Sequence, residues 1–205
     1  MFDRYALKIS KPLVDWIAAK IRASGFTADQ VTFTGFGLGI IAALGIATGF
    51  QGLAILPLLA SRLCDGLDGA VARFGVATDR GAFLDIGLDF IFYASIPLAF
   101  AVAAPSANAL AAATLLAAFV GTGSSFLAYA IIAEKRGLKS TAYPSKTIYY
   151  LGGLTEGTET VACFLAMCIW PQHFAGIAYF YALLCAVTTL TRLAAGWQEF
   201  REPNG

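Results

Sequence analysis

Four aspartates lie in two neighbouring segments that are otherwise largely apolar. Asp65 and Asp68 are three positions apart and Asp85 and Asp89 are four apart, so on helices each pair occupies one face. A charged side chain at the centre of a bilayer costs about 2.5 kcal/mol or more, and such residues usually face a polar interior and mark function. The spacing therefore predicts two acidic helix faces that meet in one site.

The distance of each aspartate from the turn between the two segments sorts the four into two levels. At a rise of 1.5 Å per residue, Asp68 and Asp85 lie roughly 8 to 9 Å from the turn, and Asp65 and Asp89 lie roughly 14 Å from it. In antiparallel helices the carboxylates would pair by level, in a cage that opens toward the turn. Two divalent cations would cancel their charge, and hard oxygen ligands suit Mg²⁺, Mn²⁺ or Ca²⁺. A paired-metal site can hold a phosphoryl group between attacking and leaving oxygens.

The residues beside these acids leave room for a bulky ligand. Small residues stand one helical turn away from three of the aspartates, at Gly69, Ala72 and Gly81. Arg73, near the turn, is placed to meet phosphate charge. We therefore predict a nucleotide next to the metals.

Two other interpretations of the same residues stay open. The acids could be structural, paired with Arg62, Arg73 and Arg80 inside the protein. They could also carry protons or divalent cations across a membrane, because transporters use intramembrane carboxylates as well.

The chain that must position these residues has the composition of a membrane protein. Of its 205 residues, 58% are hydrophobic and 13% are charged, whereas soluble domains are near half apolar and about a quarter charged. A membrane-spanning helix needs about 20 apolar residues, and six stretches have that length: 31–50, 52–74, 80–104, 108–133, 147–170 and 173–197. We predict an all-α, polytopic protein, a single domain over residues 1–205 with a bundle of six transmembrane helices over residues 31–197. The formal net charge of +1 gives no indication of a nucleic-acid partner.

The basic residues predict how this bundle is oriented, because short cytoplasmic loops are enriched in Lys and Arg. One set of ends carries them: Lys20, Arg22, Arg73, Arg80, Lys135, Arg136, Lys139, Lys146 and Arg201. Both termini and the acidic site are therefore predicted to face the cytoplasm. Residues 1–24 combine an apolar helical face with lysines opposite, which predicts an amphipathic helix that lies in the membrane interface.

The acidic segments resemble a known sequence signature. They are similar to the signature of the CDP-alcohol phosphotransferase (CDP-alcohol phosphatidyltransferase) family, in the run Asp65-x-x-Asp68-Gly69-x-x-Ala72-Arg73 and then Gly81-x-x-x-Asp85-x-x-x-Asp89. Two departures are visible. Ala28-Asp29 stands where members often have Pro-Asn, and residues 74–80 form a joining segment one residue shorter than usual. Residues 121–126 and 149–160 resemble a less characterised bacterial inner-membrane branch.

The resemblance implies a reaction, cofactors and roles. CMP would be displaced from the phosphorus next to the donor alcohol, with two Mg²⁺ or Mn²⁺ ions bound by the aspartates. Asp65, Asp68 and Asp85 would be metal ligands, and Asp89 would be a further ligand or the base that takes the proton of the acceptor hydroxyl. The CDP moiety would lie against the other signature residues, Gly69, Ala72, Arg73 and Gly81. Members are typically homodimers.

The acceptor is the least defined part of this expectation. Glu156 and Glu159, predicted at mid-bilayer depth on the fifth span, either line an acceptor pocket or pair with Arg62. We expect transfer of a phosphatidyl group from CDP-diacylglycerol to a small hydroxylated acceptor, in phospholipid biosynthesis at a bacterial inner membrane. The alternatives are a CDP-amino-alcohol phosphotransferase that acts on diacylglycerol and, from another class, a divalent-cation or proton transporter.

Overall fold

Helices form the secondary structure of the described part of the chain. This computed structural model describes residues 3–75, 78–138 and 153–201, with side chains from residue 11 onward. Its helices are α1 (Asp3–Ala23), α2 (Ala28–Ala47), α3 (Gln51–Arg73), α4 (Asp79–Ala103), α5 (Pro105–Lys135), α6 (Gly157–Ile169) and α7 (Phe174–Glu199), and a short 3₁₀ helix, Pro171–His173, precedes α7. These ranges contain no β-strand, so the predicted all-α class is confirmed.

Side-chain caps define where two helices of the acidic region begin. Thr27 precedes α2, and its hydroxyl accepts a hydrogen bond from the N–H of Gln30 at 3.3 Å. The Gln30 side chain accepts one from the N–H of Thr27 at 2.9 Å, which completes a capping box. Thr78 caps α4 by accepting from the N–H of Gly81 at 3.1 Å.

Four helices within the described ranges are long and apolar enough to cross a membrane: α2, α4, α5 and the stretch from Pro171 through α7. They indicate an integral membrane protein. The 23 residues of α3 would reach across, but its second half carries charged residues. The 13 residues of α6 make about 20 Å of helix, less than the roughly 30 Å of a hydrocarbon core. Six membrane-spanning helices therefore remain a prediction.

The fifth predicted span, residues 147–170, differs from what the structure shows. The described part of this segment is helical only from Gly157, and residues 153–156 are not helical. Residues 139–152 lie outside the described ranges. Apolar composition alone gave the longer helix, because it does not show where glycine and threonine let the backbone leave helical geometry.

The N-terminal helix packs on the bundle through one face. Ala18 of α1 is buried together with Val31, Leu67, Ala70 and Val71 of α2 and α3. On its other side, Leu13 and Trp16 are 61% and 57% exposed. The helix itself is thus present where the sequence predicted one, while its position in a membrane interface stays a prediction.

The bundle has an aromatic interior and an apolar exterior. Phe92 and Phe164 are fully buried, and the rings of Phe100 and Phe174 stack with their centroids 4.5 Å apart. Large apolar side chains also cover the outside; Phe83 and Leu110 are 75% and 74% exposed. Extended apolar surface of this kind favours contact with lipid over water.

The second helix lies between the two helices that carry the acids. α2 packs against both α3 and α4, which pack far less against each other. Buried glycines permit this close approach. A Cβ atom at Gly35 would lie 2.8 Å from Cys64 Cβ on α3, and one at Gly39 would meet the Phe92 ring on α4. The space between α3 and α4 is therefore backed by α2.

A substitution at this contact should weaken the fold. We expect Gly35→Ala to lower the free energy of unfolding by about 1 to 3 kcal/mol, because the new methyl group would overlap Cys64 between two helices that cannot separate freely. SDS-induced unfolding in detergent micelles, followed by circular dichroism, measures the change. Gly37→Ala is the matched control, since nothing lies within 4 Å of its added Cβ. An equal loss of stability in both variants would contradict the packing role of Gly35.

Candidate active site

The four aspartates line one cavity between α2, α3 and α4. The space enclosed by its walls and its open mouth amounts to about 240 Å³. The lining residues are Thr32, Gly35, Phe36, Ser61, Arg62, Asp65, Asp68, Asp85, Leu88 and Asp89. The structure thus brings together the two acidic pairs that the helical spacing had placed on two separate helices.

Asp68 is buried and accepts two hydrogen bonds. It is 5% exposed, and its Oδ2 accepts a hydrogen bond from the hydroxyl of Thr32 on α2 at 2.6 Å. Its Oδ1 accepts one from the N–H of Gly69 at 2.6 Å. These two donors fix the carboxylate in one orientation, and Thr32 makes α2 part of the site.

Arg62 joins Asp65 and Asp89 across the cavity. Its Nη1 lies 2.5 Å from Asp89 Oδ1 on α4 and 3.6 Å from Asp65 Oδ2 on α3. One nitrogen therefore reaches both of the acids that were predicted to share the level farther from the turn. The guanidinium supplies positive charge to two carboxylates that would otherwise repel each other.

The aspartates do not form a closed cage. Among residues 3–75, 78–138 and 153–201, no three His, Cys, Asp or Glu side chains converge closely enough to make a metal site. The metal-ligand roles of the aspartates stay a prediction; in this arrangement Asp65 and Asp89 contact Arg62, and Asp68 accepts from Thr32 and from the N–H of Gly69. The donor set still fits a hard divalent cation, because four carboxylates from two helices face one cavity and offer only oxygen.

The residues predicted to hold the nucleotide lie closer to the joining segment than the cavity does. They are Gly69, Ala72, Arg73 and Gly81, and none of them lines the cavity itself. The nearest atom to a Cβ at Gly69 would be Arg73 Nη1, at 3.7 Å. A Cβ at Gly81 would lie 3.2 Å from Thr78 Oγ1, so the room for a nucleotide beside these residues stays a prediction.

Acidic residues of α1 and α2 pair with the two arginines at this end of the protein. Arg73 Nη2 lies 3.8 Å from Asp15 Oδ1 of α1. Arg80 Nη2 lies 2.5 Å from Asp29 Oδ2, in the first turn of α2. Asp29 also borders Gly81, since a Cβ there would lie 3.4 Å from Asp29 Oδ1. These contacts link α1 to the end of α3, and the start of α2 to the start of α4.

Glu156 and Glu159 lie at the start of α6, and their role in an acceptor pocket stays a prediction. Glu156 is the residue before α6, is 5% exposed, and accepts a hydrogen bond through Oε1 from the N–H of Gly153 at 2.9 Å. Glu159 lies in the first turn of α6. Neither lines the aspartate cavity. Arg62, the ion-pair partner considered for them, is held by Asp65 and Asp89.

A second group of buried polar residues lies between α5, α6 and α7 and was not identified from the sequence. Arg192 is 7% exposed, and its Nη1 donates to the carbonyl oxygen of Thr122 at 3.1 Å. The hydroxyls of Thr155 and Thr188 lie 3.0 Å apart. The signal that could have found Arg192 is an arginine inside an otherwise apolar span, which by itself indicates a polar interior.

Comparison with known proteins gives one family match and several related proteins. The model of the CDP-alcohol phosphatidyltransferase family matches residues 26–191. The inner membrane protein YnjF of Escherichia coli (strain K12) is 47% identical over 197 residues, which cover 96% of this chain and 96% of that protein. Its name agrees with the integral membrane protein that the apolar helices indicate.

Two solved structures of the Mycobacterium tuberculosis phosphatidylinositol phosphate synthase PgsA1 share the fold. The structure with CDP-DAG bound has a TM-score of 0.73 at 22% identity and covers 95% of this chain and 100% of that chain. The complex with manganese and citrate has a TM-score of 0.72 at 22% identity, over 93% of each chain. Because the family match extends over most of the sequence and includes every aspartate of the cavity, the chain belongs to the CDP-alcohol phosphatidyltransferase family.

Proposed function

We propose that this protein transfers a phosphatidyl group from CDP-diacylglycerol to a small hydroxylated acceptor and releases CMP. The observation that carries the proposal is the convergence of the four signature aspartates, from α3 and α4, on one cavity. The choice of donor draws on the PgsA1 structure with CDP-DAG bound. A donor of this kind suits a site in a bundle with an apolar exterior, because its acyl chains can stay in lipid while its diphosphate reaches the acids.

The proposed cofactor is a pair of Mg²⁺ or Mn²⁺ ions. Asp65, Asp68 and Asp85 would hold them, with Asp89 as a further ligand, and manganese in the second PgsA1 structure supports the choice of metal. When bound, the ions would polarise the phosphoryl oxygens and offset the repulsion among the carboxylates. Thr32 and the N–H of Gly69 would keep Asp68 in position beside them.

The proposed chemistry is a displacement at phosphorus. The acceptor oxygen forms a bond to the phosphorus that carries the diacylglycerol, and the bond from that phosphorus to the bridging oxygen breaks, so that CMP leaves with the electron pair. Asp89 takes the proton of the acceptor hydroxyl, a role that fits its place on the cavity wall opposite the aspartates of α3. Gly69, Ala72, Arg73 and Gly81 would hold the cytidine nucleotide.

The wider setting follows from the charge distribution and the family. We propose a homodimer in a bacterial inner membrane, with the cavity open to the cytoplasm and a role in phospholipid biosynthesis. The orientation rests on the arginines and lysines near the joining segment of α3 and α4 and near the end of α5.

The central experiment measures the reaction directly. Purified protein in detergent is incubated with radiolabelled CDP-diacylglycerol, Mg²⁺ or Mn²⁺ and a panel of polyols and amino alcohols, and CMP and new lipids are followed. We expect CMP and one new phospholipid to appear together with at least one acceptor, and EDTA to abolish both. Parallel arms supply a CDP-amino alcohol with diacylglycerol, and test Mn²⁺ flux into proteoliposomes. If a product forms only with the CDP-amino alcohol and diacylglycerol, the protein is a CDP-amino-alcohol phosphotransferase. If Mn²⁺ enters the proteoliposomes and no CMP is released, the protein is a transporter.

Replacing Asp89 should stop turnover. Loss of a general base typically lowers a rate by about 10²- to 10⁴-fold, so we expect Asp89→Asn to reduce CMP release at least 100-fold while some CDP-diacylglycerol binding remains. Asp79→Asn is the matched control, because Asp79 is also on α4 but is exposed and does not line the cavity. Thermal unfolding of both variants shows whether the lost contact with Arg62 has affected the fold. Full activity of Asp89→Asn would remove Asp89 from the chemistry.

We propose that Glu156 and Glu159, which lie outside the aspartate cavity, line a separate part of the acceptor's binding region. We expect Glu156→Gln to change the ranking of acceptors in the panel and to leave CDP-diacylglycerol binding unchanged. Glutamine keeps the oxygen that accepts from Gly153, so the variant removes charge with little change in local structure. If acceptor ranking stays the same, or if the variant unfolds, Glu156 serves the fold and not the acceptor.

A further inference from the structure

Arg62 is a buried cation in direct contact with the proposed metal ligands, and the family signature does not include its position. It lies three residues before Asp65 on α3, and its side chain is 12% exposed. Its Nη1 is 2.5 Å from Asp89 Oδ1 and 3.6 Å from Asp65 Oδ2. It therefore contacts one acid from each of the two helices.

Aromatic and polar neighbours hold the guanidinium in this position. Its central carbon lies 3.8 Å from the centre of the Phe92 ring and 5.5 Å from that of Tyr93, both on α4. Its Nη2 donates to the hydroxyl of Ser61 at 3.3 Å. The Nε atom, however, is buried and has no hydrogen-bond partner among the described residues. The carboxylates are thus the main compensation for burying this charge.

A guanidinium that contacts these carboxylate oxygens weakens the binding of a metal ion to the same oxygens. Arginine stays protonated in proteins, so its charge is permanent and repels a second cation at close range. The oxygen nearest to Arg62, on Asp89, is one that a divalent ion would also use. Asp68 is different, because its two oxygens accept from Thr32 and Gly69, which carry no charge.

We propose that Arg62 is a positioning residue that competes with divalent metal for Asp65 and Asp89. Metal then binds first at the end of the cavity where Asp68 lies, and binds at the other end only when Arg62 gives up its contact with Asp89. Before that, Arg62 keeps the Asp89 carboxylate turned into the cavity. This inference rests on the proposed function, since it assumes that the aspartates bind metal.

The test is a Mn²⁺ titration of the purified protein, in detergent at fixed pH and ionic strength and without nucleotide. Electron paramagnetic resonance of free Mn²⁺ gives the number and affinity of the bound ions. We expect a tight and a weak class of site in the unaltered protein, and at least tenfold tighter binding at the weak class in Arg62→Met, which keeps an unbranched side chain on Phe92. Arg62→Gln should behave in the same way. Arg62→Lys should stay near the unaltered protein, because it retains the competing charge.

Controls and a second measurement separate this role from a structural one. Arg136→Met removes an arginine at the end of α5, where it donates to the carbonyl oxygen of Phe200, and should change neither Mn²⁺ affinity nor CMP release. In the CMP assay, Arg62→Met should lower kcat more than it changes KM for the donor, and Arg62→Lys should restore most of kcat.

The outcomes distinguish the two proposals. If the unaltered protein binds Mn²⁺ but releases no CMP, the proposed reaction is wrong. The titration of the Arg62 variants still shows whether Arg62 competes with Mn²⁺ for Asp65 and Asp89. Unchanged Mn²⁺ affinity in both neutral variants would overturn the role of Arg62 and leave the reaction standing. If Arg62→Met cannot be purified, Arg62→Gln decides, and failure of both to fold would assign Arg62 to the structure instead. Absence of Mn²⁺ binding in the unaltered protein would remove both proposals.

Discussion

Carboxylates that share a cavity inside a helical bundle repel one another, and a compensating charge or hydrogen-bond donor lowers the free-energy cost of keeping them together. The protein meets this requirement with groups of different kinds. Asp68 receives a hydroxyl from a neighbouring helix and a backbone N–H from its own helix. Asp65 and Asp89 share a guanidinium that is set against an aromatic ring. α2, α3 and α4 each contribute one or more of these groups.

α2 contributes none of the four cavity aspartates, but it is as necessary to the cavity as α3 and α4, which do. α3 and α4 pack far less against each other than against α2, so the gap between them persists and its inner wall belongs to α2. Glycines of α2 allow it to pack closely against α3 and α4, and the hydroxyl of Thr32 donates a hydrogen bond to Asp68. Packing and chemistry are therefore joined in one helix: a change that moves α2 outward would also withdraw the hydroxyl from Asp68.

The sequence predicted those features that depend on local periodicity. Helices α2, α3, α4, α5 and α7 begin and end within about three residues of the predicted spans, because long apolar stretches bounded by turn residues leave few alternatives. The shared cavity of the aspartates followed from their three- and four-residue spacing. The start of α6 was wrong, since apolar composition does not distinguish a helix from the irregular backbone at residues 153–156. The contact of Thr32 with Asp68, 36 positions away, depends on how α2 is rotated against α3, and no local pattern encodes that rotation. Arg62 pairs with Asp65 and Asp89 and not with the glutamates at α6. This pairing also depends on how the helices are rotated, so local sequence patterns did not predict it.

The ion pair between Asp29 and Arg80 gives one departure from the usual signature a physical reason. It connects the first turn of α2 to the first turn of α4, next to Gly81. Asparagine at position 29 could still accept a hydrogen bond, but it would offer the guanidinium no opposite charge. The two positions should therefore covary among homologues: chains that enter the first span with Pro-Asn have no electrostatic reason to retain a cation where this one has Arg80.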